Sequence, residues 1–511
     1  GREARNEIVR LPADGPGPVT VIASGHDFVS YPRLSPDGER LAFTSWEHPR
    51  MPWDGTELWV VEEAGEAGIG APERVAGGPT ESIYQPAWSP SGALHFVSDR
   101  SGWWNLYRHE SSGDVALAPA CAEFGRPQWT FATTTYAFLA DGRIACTWIA
   151  DGRDHLGVIA PGDGAPREVE TPFTSFGGPA PLGSGSRVAL VAASAREAAA
   201  VVVIDVDTGE VEEVRRSQDR PLERAYVSVP EAIEFPTSGD RSGHALFYAP
   251  THPELEGPPG ERPPLLVVSH GGPTGAASSA QNIAIQFWTS RGIAVVDVDY
   301  GGSTGHGRAY RERLRDQWGI VDTADCIAAA RSLVERGRAD GGRLAIRGGS
   351  AGGFTTLCAL TFHDLFRAGA SYYGVADLEA LARDTHKFES RYLDSLVGPY
   401  PAARERYRER SPIHHAERLS CPLLLLQGDE DAIVPPAQAE VMVAALRKRR
   451  LPHAYLLFPG EQHGFRRAET IVRALEAELS FYGQILGFEP AGPIEPIQIA
   501  NLAEAGPGSR F

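Results

Sequence analysis

The 511-residue sequence predicts two architectures in series: an incomplete β-propeller followed by an α/β-hydrolase domain. Three observations predict them. A proline-marked, β-rich unit recurs up to about residue 220. Beyond it, continuous apolar strands alternate with helices. Within that second pattern, Gly348-Gly-Ser-Ala-Gly352 joins an apolar strand to a helix.

The repeat comes first in the chain. Tyr31-Pro-Arg-Leu-Ser-Pro-Asp-Gly38 recurs as Tyr84-Gln-Pro-Ala-Trp-Ser-Pro-Ser-Gly92. Each copy leads into a β-rich run, Leu41–Trp46 or Leu94–Ser98, and then a second aromatic strand, Glu57–Val61 or Asn105–Arg108. Weaker copies start near Arg126-Pro-Gln-Trp129 and Gly178-Pro179. The prolines Pro32, Pro86, Pro127 and Pro179 are 54, 41 and 52 residues apart. Short strands, Ser-Pro-x-Gly turns and a period of roughly 40–50 residues mark propeller blades. Four repeats favour this over a β-sandwich. Asn6 to Gly15 reads as the outer strand and turn of a blade whose inner strands are absent, so the chain is expected to begin in mid-blade. A missing N-terminal fragment, on another polypeptide, is then expected to complete the propeller. For the same reason the lack of a leader at residue 1 says nothing about localisation.

From about Tyr226 the pattern changes. The expected units are residues 1–222 for the blades, 223–488 for the hydrolase and 489–511 for a structureless tail. A hairpin (Glu231–Phe235, His244–Tyr248) precedes strands at Leu265–Ser269 and Ile293–Val298 and a helix at Thr323–Arg336. The Ser350 strand and helix follow. Strands Ala368–Tyr372, Leu423–Gln427 and Ala454–Phe458 come next, with helices Pro436–Lys448 and Ala468–Leu486. Continuous apolar strands between helices imply a parallel sheet covered on both faces.

Composition excludes some functions. The net charge of -18 argues against nucleic acid or an anionic membrane as partner. No apolar run of about 18 residues exists to span a bilayer. Cys121, Cys146, Cys326, Cys358 and Cys421 are scattered, odd in number and without a C-x-x-C pair. They read as small buried hydrophobes in a reducing, cytoplasmic compartment, not as disulfides or zinc ligands.

The chemistry centres on Ser350. G-x-S-x-G occurs by chance in a chain with 56 glycines, but here an apolar strand precedes it and a helix follows. That is the context of a nucleophile elbow, in which the serine projects from the sheet edge. The Ala351 N–H, at the helix start, can donate to an oxyanion. A base and an orienting acid are needed, in the order Ser, Asp, His. His463 lies in a glycine-flanked loop after a late strand. His414 and His415 precede a strand and read as surface or helix-turn residues. Asp429 and Asp431 both follow the strand Leu423–Gln427, and spacing does not separate them. The second oxyanion donor is expected from the early loop Ser269-His-Gly-Gly-Pro273.

His270-Gly-Gly-Pro273, Asp299-Tyr-Gly-Gly-Ser-Thr-Gly305, Trp318-Gly319, Gly348–Gly353 and His463-Gly-Phe465 together resemble the prolyl oligopeptidase family of serine peptidases. The acylaminoacyl-peptidase and dipeptidyl-peptidase-like branch is the most similar. The resemblance covers residues 226–488. It implies Ser350 as nucleophile, His463 as base and Asp431, not Asp429, as acid. It also implies Gly272 and Ala351 as oxyanion donors, and a propeller of usually seven blades, two or three more than this chain carries. Where some branches use a tyrosine hydroxyl in the hole, this sequence has His270. Members that clamp a second substrate residue often carry Arg or Asn two positions after the acid. Here that position is Ile433.

These residues predict a serine exopeptidase that needs no cofactor or metal and acts near the N-terminus of short peptides or on small aminoacyl amides. The loss of the clamp favours removal of one residue over the dipeptidyl or acylaminoacyl mode. An amidase or esterase on a small aminoacyl compound uses the same machinery. A propeller interaction module with a silent hydrolase is the alternative of another class. The pocket is expected to be lined by Tyr372, Tyr373, Val375, Ile433 and Val434, at carboxyl ends of strands, and to prefer a hydrophobic residue or proline. A homo-oligomer stays open.

Overall fold

The computed structural model describes residues 3–62, 70–162, 164–383, 385–419 and 421–502. Its first half is a series of antiparallel meanders. Four propeller blades follow one another. The first runs Phe28–Leu34, Arg40–Trp46, Glu57–Glu62, Glu73–Gly77, and the second Ile83–Trp88, Leu94–Ser98, Asn105–Arg108, Val115–Ala116. The third runs Tyr136–Phe138, Ile144–Ala150, Arg153–Ile159, Arg167–Glu168. In the fourth, Ser175–Phe176 and Ala180–Pro181 pair with Arg187–Ala193, and Ala200–Asp205 and Val211–Arg216 complete the sheet. A two-stranded sheet, Ile8–Arg10 with Thr20–Ala23, precedes them.

Period-two alternation places the apolar faces between blades. In the fourth blade Val188, Leu190 and Ala192 are buried while Val191 is exposed, and they pack with Leu139, Leu156 and Val158 of the third. The repeat Tyr-Pro and Gln-Pro pairs fall on equivalent bulges: Tyr31 (φ 51°) and Gln85 (φ 49°) stand at breaks in strand register before Pro32 and Pro86. The third copy departs from expectation. Arg126–Trp129 forms no strand, and the inner strand of that blade starts ten residues after Arg126, at Tyr136. The intervening segment turns toward the second domain.

That domain is built on one eight-stranded sheet. Its spatial order is Glu231–Thr237, Arg241–Tyr248, Ala294–Asp299, Leu265–Ser269, Leu344–Gly349, Ala368–Tyr372, Leu423–Gly428, His453–Phe458. The first two strands are antiparallel and the last six parallel. Leu423–Gly428 is buried at every residue, as a strand covered by helices on both faces must be. One face packs against Val321–Glu335, Ala351–Phe362 and Ala437–Arg449, the other against Ala468–Leu486.

The tail corrects an expectation. The end of the described part of that segment is packed: Ile497 and Ile499 are buried against the last helix, and Ala500 exchanges backbone hydrogen bonds with His453 (2.8 and 3.2 Å). Two burying isoleucines were hidden among Pro, Gly and Glu. Residues 503–511 of that tail lie outside the described residues. Four cysteines are buried, but Cys121 is exposed. Among the described residues no helix is long and apolar enough to cross a membrane.

The two halves share a polar and aromatic interface. Buried Asp99 of the second blade pairs with Arg308 (2.7 Å) and Arg311 (2.6 Å) of the hydrolase domain. Buried Glu123 accepts the Gly307 N–H at 3.0 Å. Trp53 and Trp129 lie 4.5 Å apart and face Tyr392 at 5.7 and 5.8 Å.

Candidate active site

The strand Leu344–Gly349 and the helix Ala351–Phe362 meet at Ser350, whose backbone stands at φ 56°, ψ −119°. The spacing of the glycines follows from contact distances. A Cβ on Gly348 would lie 2.2 Å from the Gly352 carbonyl oxygen, and one on Gly352 would lie 2.1 Å from that of Ser269. Only glycine lets strand, turn and neighbouring loop approach this closely. The strained serine is tied down by its N–H, which donates to the Tyr372 carbonyl at 3.0 Å.

Ser350 Oγ lies 2.9 Å from His463 Nε2, and His463 Nδ1 lies 2.8 Å from Asp431 Oδ2. A carboxylate accepts only, so Nδ1 carries the proton and Nε2 is left to accept from the serine hydroxyl. Asp431 is fully buried at its side chain, yet well supplied with donors. The N–H groups of Ile433 (2.9 Å) and Val434 (2.8 Å) meet Oδ1, and Gln427 Nε2 meets Oδ2 at 3.2 Å. Asp429 does a different job: it accepts the Gly460 N–H at 2.6 Å and so staples the acid loop to the histidine loop. His414 and His415 lie on the turn Pro412–Arg418, away from this group.

Gly272 and Ala351 line one cavity with Ser350. Among the described residues neither amide donates a hydrogen bond within the protein. Gly272 stands at φ +124°, and a Cβ there would meet the Thr274 N at 2.7 Å. The loop is held from below by Tyr300, whose hydroxyl donates to the carbonyls of His270 (2.9 Å) and Pro273 (3.2 Å). His270 stacks on Tyr300 and pairs with Ser303 Oγ at 2.7 Å. Burial lowers its pKa and keeps the imidazole neutral beside the hole.

The same cavity is lined by Val375, Ile433 and Val434. Tyr372 and Tyr373, expected beside them, are elsewhere. Tyr372 is the last residue of its strand and turns to the opposite face, where its hydroxyl donates to Glu478 at 2.5 Å under the Arg347 guanidinium. Tyr373, with φ 39°, packs edge-on to His463 (4.9 Å) and Phe465. It braces the base instead of lining the pocket. The missing wall comes from Trp318 and from the short helices after Val375: Leu381, Glu389, Tyr392, Leu393 and Leu396. Those helices have 3 to 6 residues each, too few for a helical period to show in sequence. The aromatic pair Phe388 and Tyr392, four apart in a charged stretch, was the one available signal.

A parallel-centred sheet with a hydrogen-bonded Ser–His–Asp chain beyond its carboxyl edge defines the class of serine hydrolases with the α/β-hydrolase fold. Residues 279–489 match the model of the prolyl oligopeptidase family. The chain is 46% identical to a Mycobacterium tuberculosis puromycin-hydrolysing peptidase of known structure, with a TM-score of 0.90 over 94% of this chain and 73% of that one. A puromycin hydrolase structure gives 44% identity and a TM-score of 0.89, covering 94% of this chain and 73% of that one. Dipeptidyl aminopeptidase BIII of Pseudoxanthomonas mexicana is 33% identical over 240 residues, 46% of this chain and 34% of that protein. The chain spans between 34% and 39% of the length of the first two curated relatives. It belongs to the prolyl oligopeptidase family.

Proposed function

We propose that this protein is a serine aminopeptidase that cuts the amide bond after a single, hydrophobic N-terminal residue in aminoacyl amides and short peptides. The observation that carries the reading is the cavity beside Ser350, apolar at Trp318, Val375, Leu396 and Val434 and carrying Ile433 where a clamp for a second residue would stand. The similarity to puromycin-hydrolysing proteins supports the same reading.

Ser350 Oγ attacks the carbonyl carbon while His463 Nε2 takes its proton. The negative oxygen that forms is met by the amides of Gly272 and Ala351. His463 then protonates the leaving amine, and the acyl–Ser350 ester is hydrolysed by water through the same proton route. Asp431 keeps the imidazole in its Nδ1–H tautomer and stabilises the imidazolium. Each methylene buried in the cavity contributes about 0.8 kcal/mol, which ranks side chains without excluding near neighbours.

A panel of chromogenic aminoacyl, dipeptidyl and N-acetyl-aminoacyl amides tests this. Aminoacyl amides of Phe, Leu or Pro are expected to be cut at least as fast as their dipeptidyl counterparts. A strong preference for dipeptidyl or acetylated amides would overturn the single-residue reading.

A further inference from the structure

Of the described residues lining the cavity beside Ser350, one carries a formal charge at neutral pH: Glu389. Its surroundings set it apart. Trp318 (2% exposed), Leu396 (4%) and Val434 (2%) form the depth of the cavity. The Glu389 side chain is 23% exposed and belongs to its rim. Its one charged neighbour among the described residues is His386, whose Nε2 lies 3.2 Å away on a half-exposed imidazole. The adjacent Lys387 does not neutralise it. That ammonium donates to the backbone carbonyls of Ala4 (2.7 Å) and Asp27 (2.8 Å) in the first half of the chain.

The segment that carries this carboxylate is also held in place. Phe388 packs edge-on to Phe28 at 5.8 Å and lies 6.2 Å from Trp129, while the Tyr392 hydroxyl hydrogen-bonds Thr274 Oγ1 at 2.5 Å. Glu389 therefore sits between two anchored aromatic residues, on a segment that the propeller side clamps against the oxyanion loop. A carboxylate on an anchored segment at the rim of an apolar cavity, with no Arg or Lys paired to it among the described residues, fits a cation brought by the substrate. With the side chain of the first residue in the apolar depth, the group left at the rim is its amino nitrogen.

We infer that Glu389 binds the free α-ammonium group of the substrate's first residue and so makes the site an aminopeptidase. This rests on the aminoacyl reading above. A charge-assisted hydrogen bond of this kind is worth about a 10–100-fold preference for the free amine. It also removes the need for a second-residue clamp at Ile433, because the substrate is already held at both ends of its first residue.

The test compares wild type and Glu389→Gln on three anilides: phenylalanyl, N-acetyl-phenylalanyl and lysyl p-nitroanilide. Fluorophosphonate labelling of Ser350 reports the integrity of each site. The wild type is expected to favour the free over the acetylated phenylalanyl amide, and Glu389→Gln to reduce that kcat/KM ratio about 10–100-fold with the serine still labelled. Glu389→Asp is expected to keep part of the ratio. A variant that keeps the full wild-type ratio, or loses both substrates and labelling equally, overturns the assignment of Glu389 alone. So does a variant that loses only the lysyl amide, which would make Glu389 a selector of basic side chains. A wild type that prefers the acetylated amide, or cuts none of the three while its serine is labelled, overturns the aminopeptidase reading itself.

Discussion

The indole N–H of Trp129 donates a 2.7 Å hydrogen bond to the Thr274 carbonyl. One residue belongs to the segment entering the third blade, the other to the loop that carries Gly272. Propeller docking is thereby coupled to the position of an expected oxyanion donor. Trp129→Phe keeps most of the packing and removes the donor. Leaving the carbonyl without its partner costs about 1–2 kcal/mol. We expect kcat on aminoacyl amides to fall about 3–10-fold with little change in KM. An unchanged kcat would show that the loop holds its shape without the propeller.

Ser350→Ala is expected to lower turnover by several orders of magnitude with an unchanged melting temperature, since both residues suffer the same φ of 56°. The groups of such a triad act as a unit. Turnover near the wild-type level would remove Ser350 from the mechanism.

The two aspartates of the acid loop should separate by function. Asp431→Asn leaves His463 Nδ1 facing an amide and favours the wrong tautomer, for an expected loss of about 10⁴-fold in kcat. Asp429→Asn should cost little rate, because Asp429 meets the Gly460 N–H and not the imidazole. Steady-state kinetics on one aminoacyl anilide ranks them, and the reverse order would refute the assignment.

Ile433 lines the cavity without a polar atom to offer a second substrate residue. Ile433→Arg adds a donor for its carbonyl. The kcat/KM ratio of dipeptidyl to aminoacyl amides is expected to rise about tenfold. A ratio that stays fixed would mean that the longer substrate does not pass this residue.

Asp297, on the strand Ala294–Asp299, is buried, and among the described residues its Oδ1 has no hydrogen-bond partner. Burial, with Asp299 adding to it, pushes its pKa up to about 7. The unfolded value is about 3.9, so the folded state holds this proton more tightly. The resulting stabilisation is fully present below about pH 4 and is lost as pH rises through about 7. Asp297→Asn removes that loss, on the order of 4 kcal/mol. Its gain in melting temperature over wild type is expected to grow from pH 5 to pH 8 and then level off. A gain independent of pH would place the effect in packing.

Signals carried by neighbours in the chain were legible in the sequence. The elbow was visible because its glycines and serine fall within five successive residues, and a Cβ on Gly348 would lie 2.2 Å from the Gly352 carbonyl oxygen of the same turn. The parallel sheet was visible because strands buried on both faces must be apolar throughout. The blades were visible because each repeats a local hairpin pattern. Asp429 against Asp431 could not be separated by spacing, and only the resemblance favoured one. Both lie in the same loop, and what distinguishes them is a 2.8 Å approach by His463, 32 residues away. Tyr372 and Tyr373 were misplaced for a related reason. The end of a strand fixes where a backbone stops, while the face a side chain takes depends on what fills the other side, here Glu478 and Arg347 for Tyr372 and His463 for Tyr373. Glu389 gave no signal at all. Its helix is three residues long, and only packing against Phe28 and Trp129, distant in sequence, brings it to the rim beside Ser350. The sequence alone determined the local frames that bear the chemistry. The tertiary structure decided which side chains meet across them, because those contacts depend on distances that no local pattern encodes.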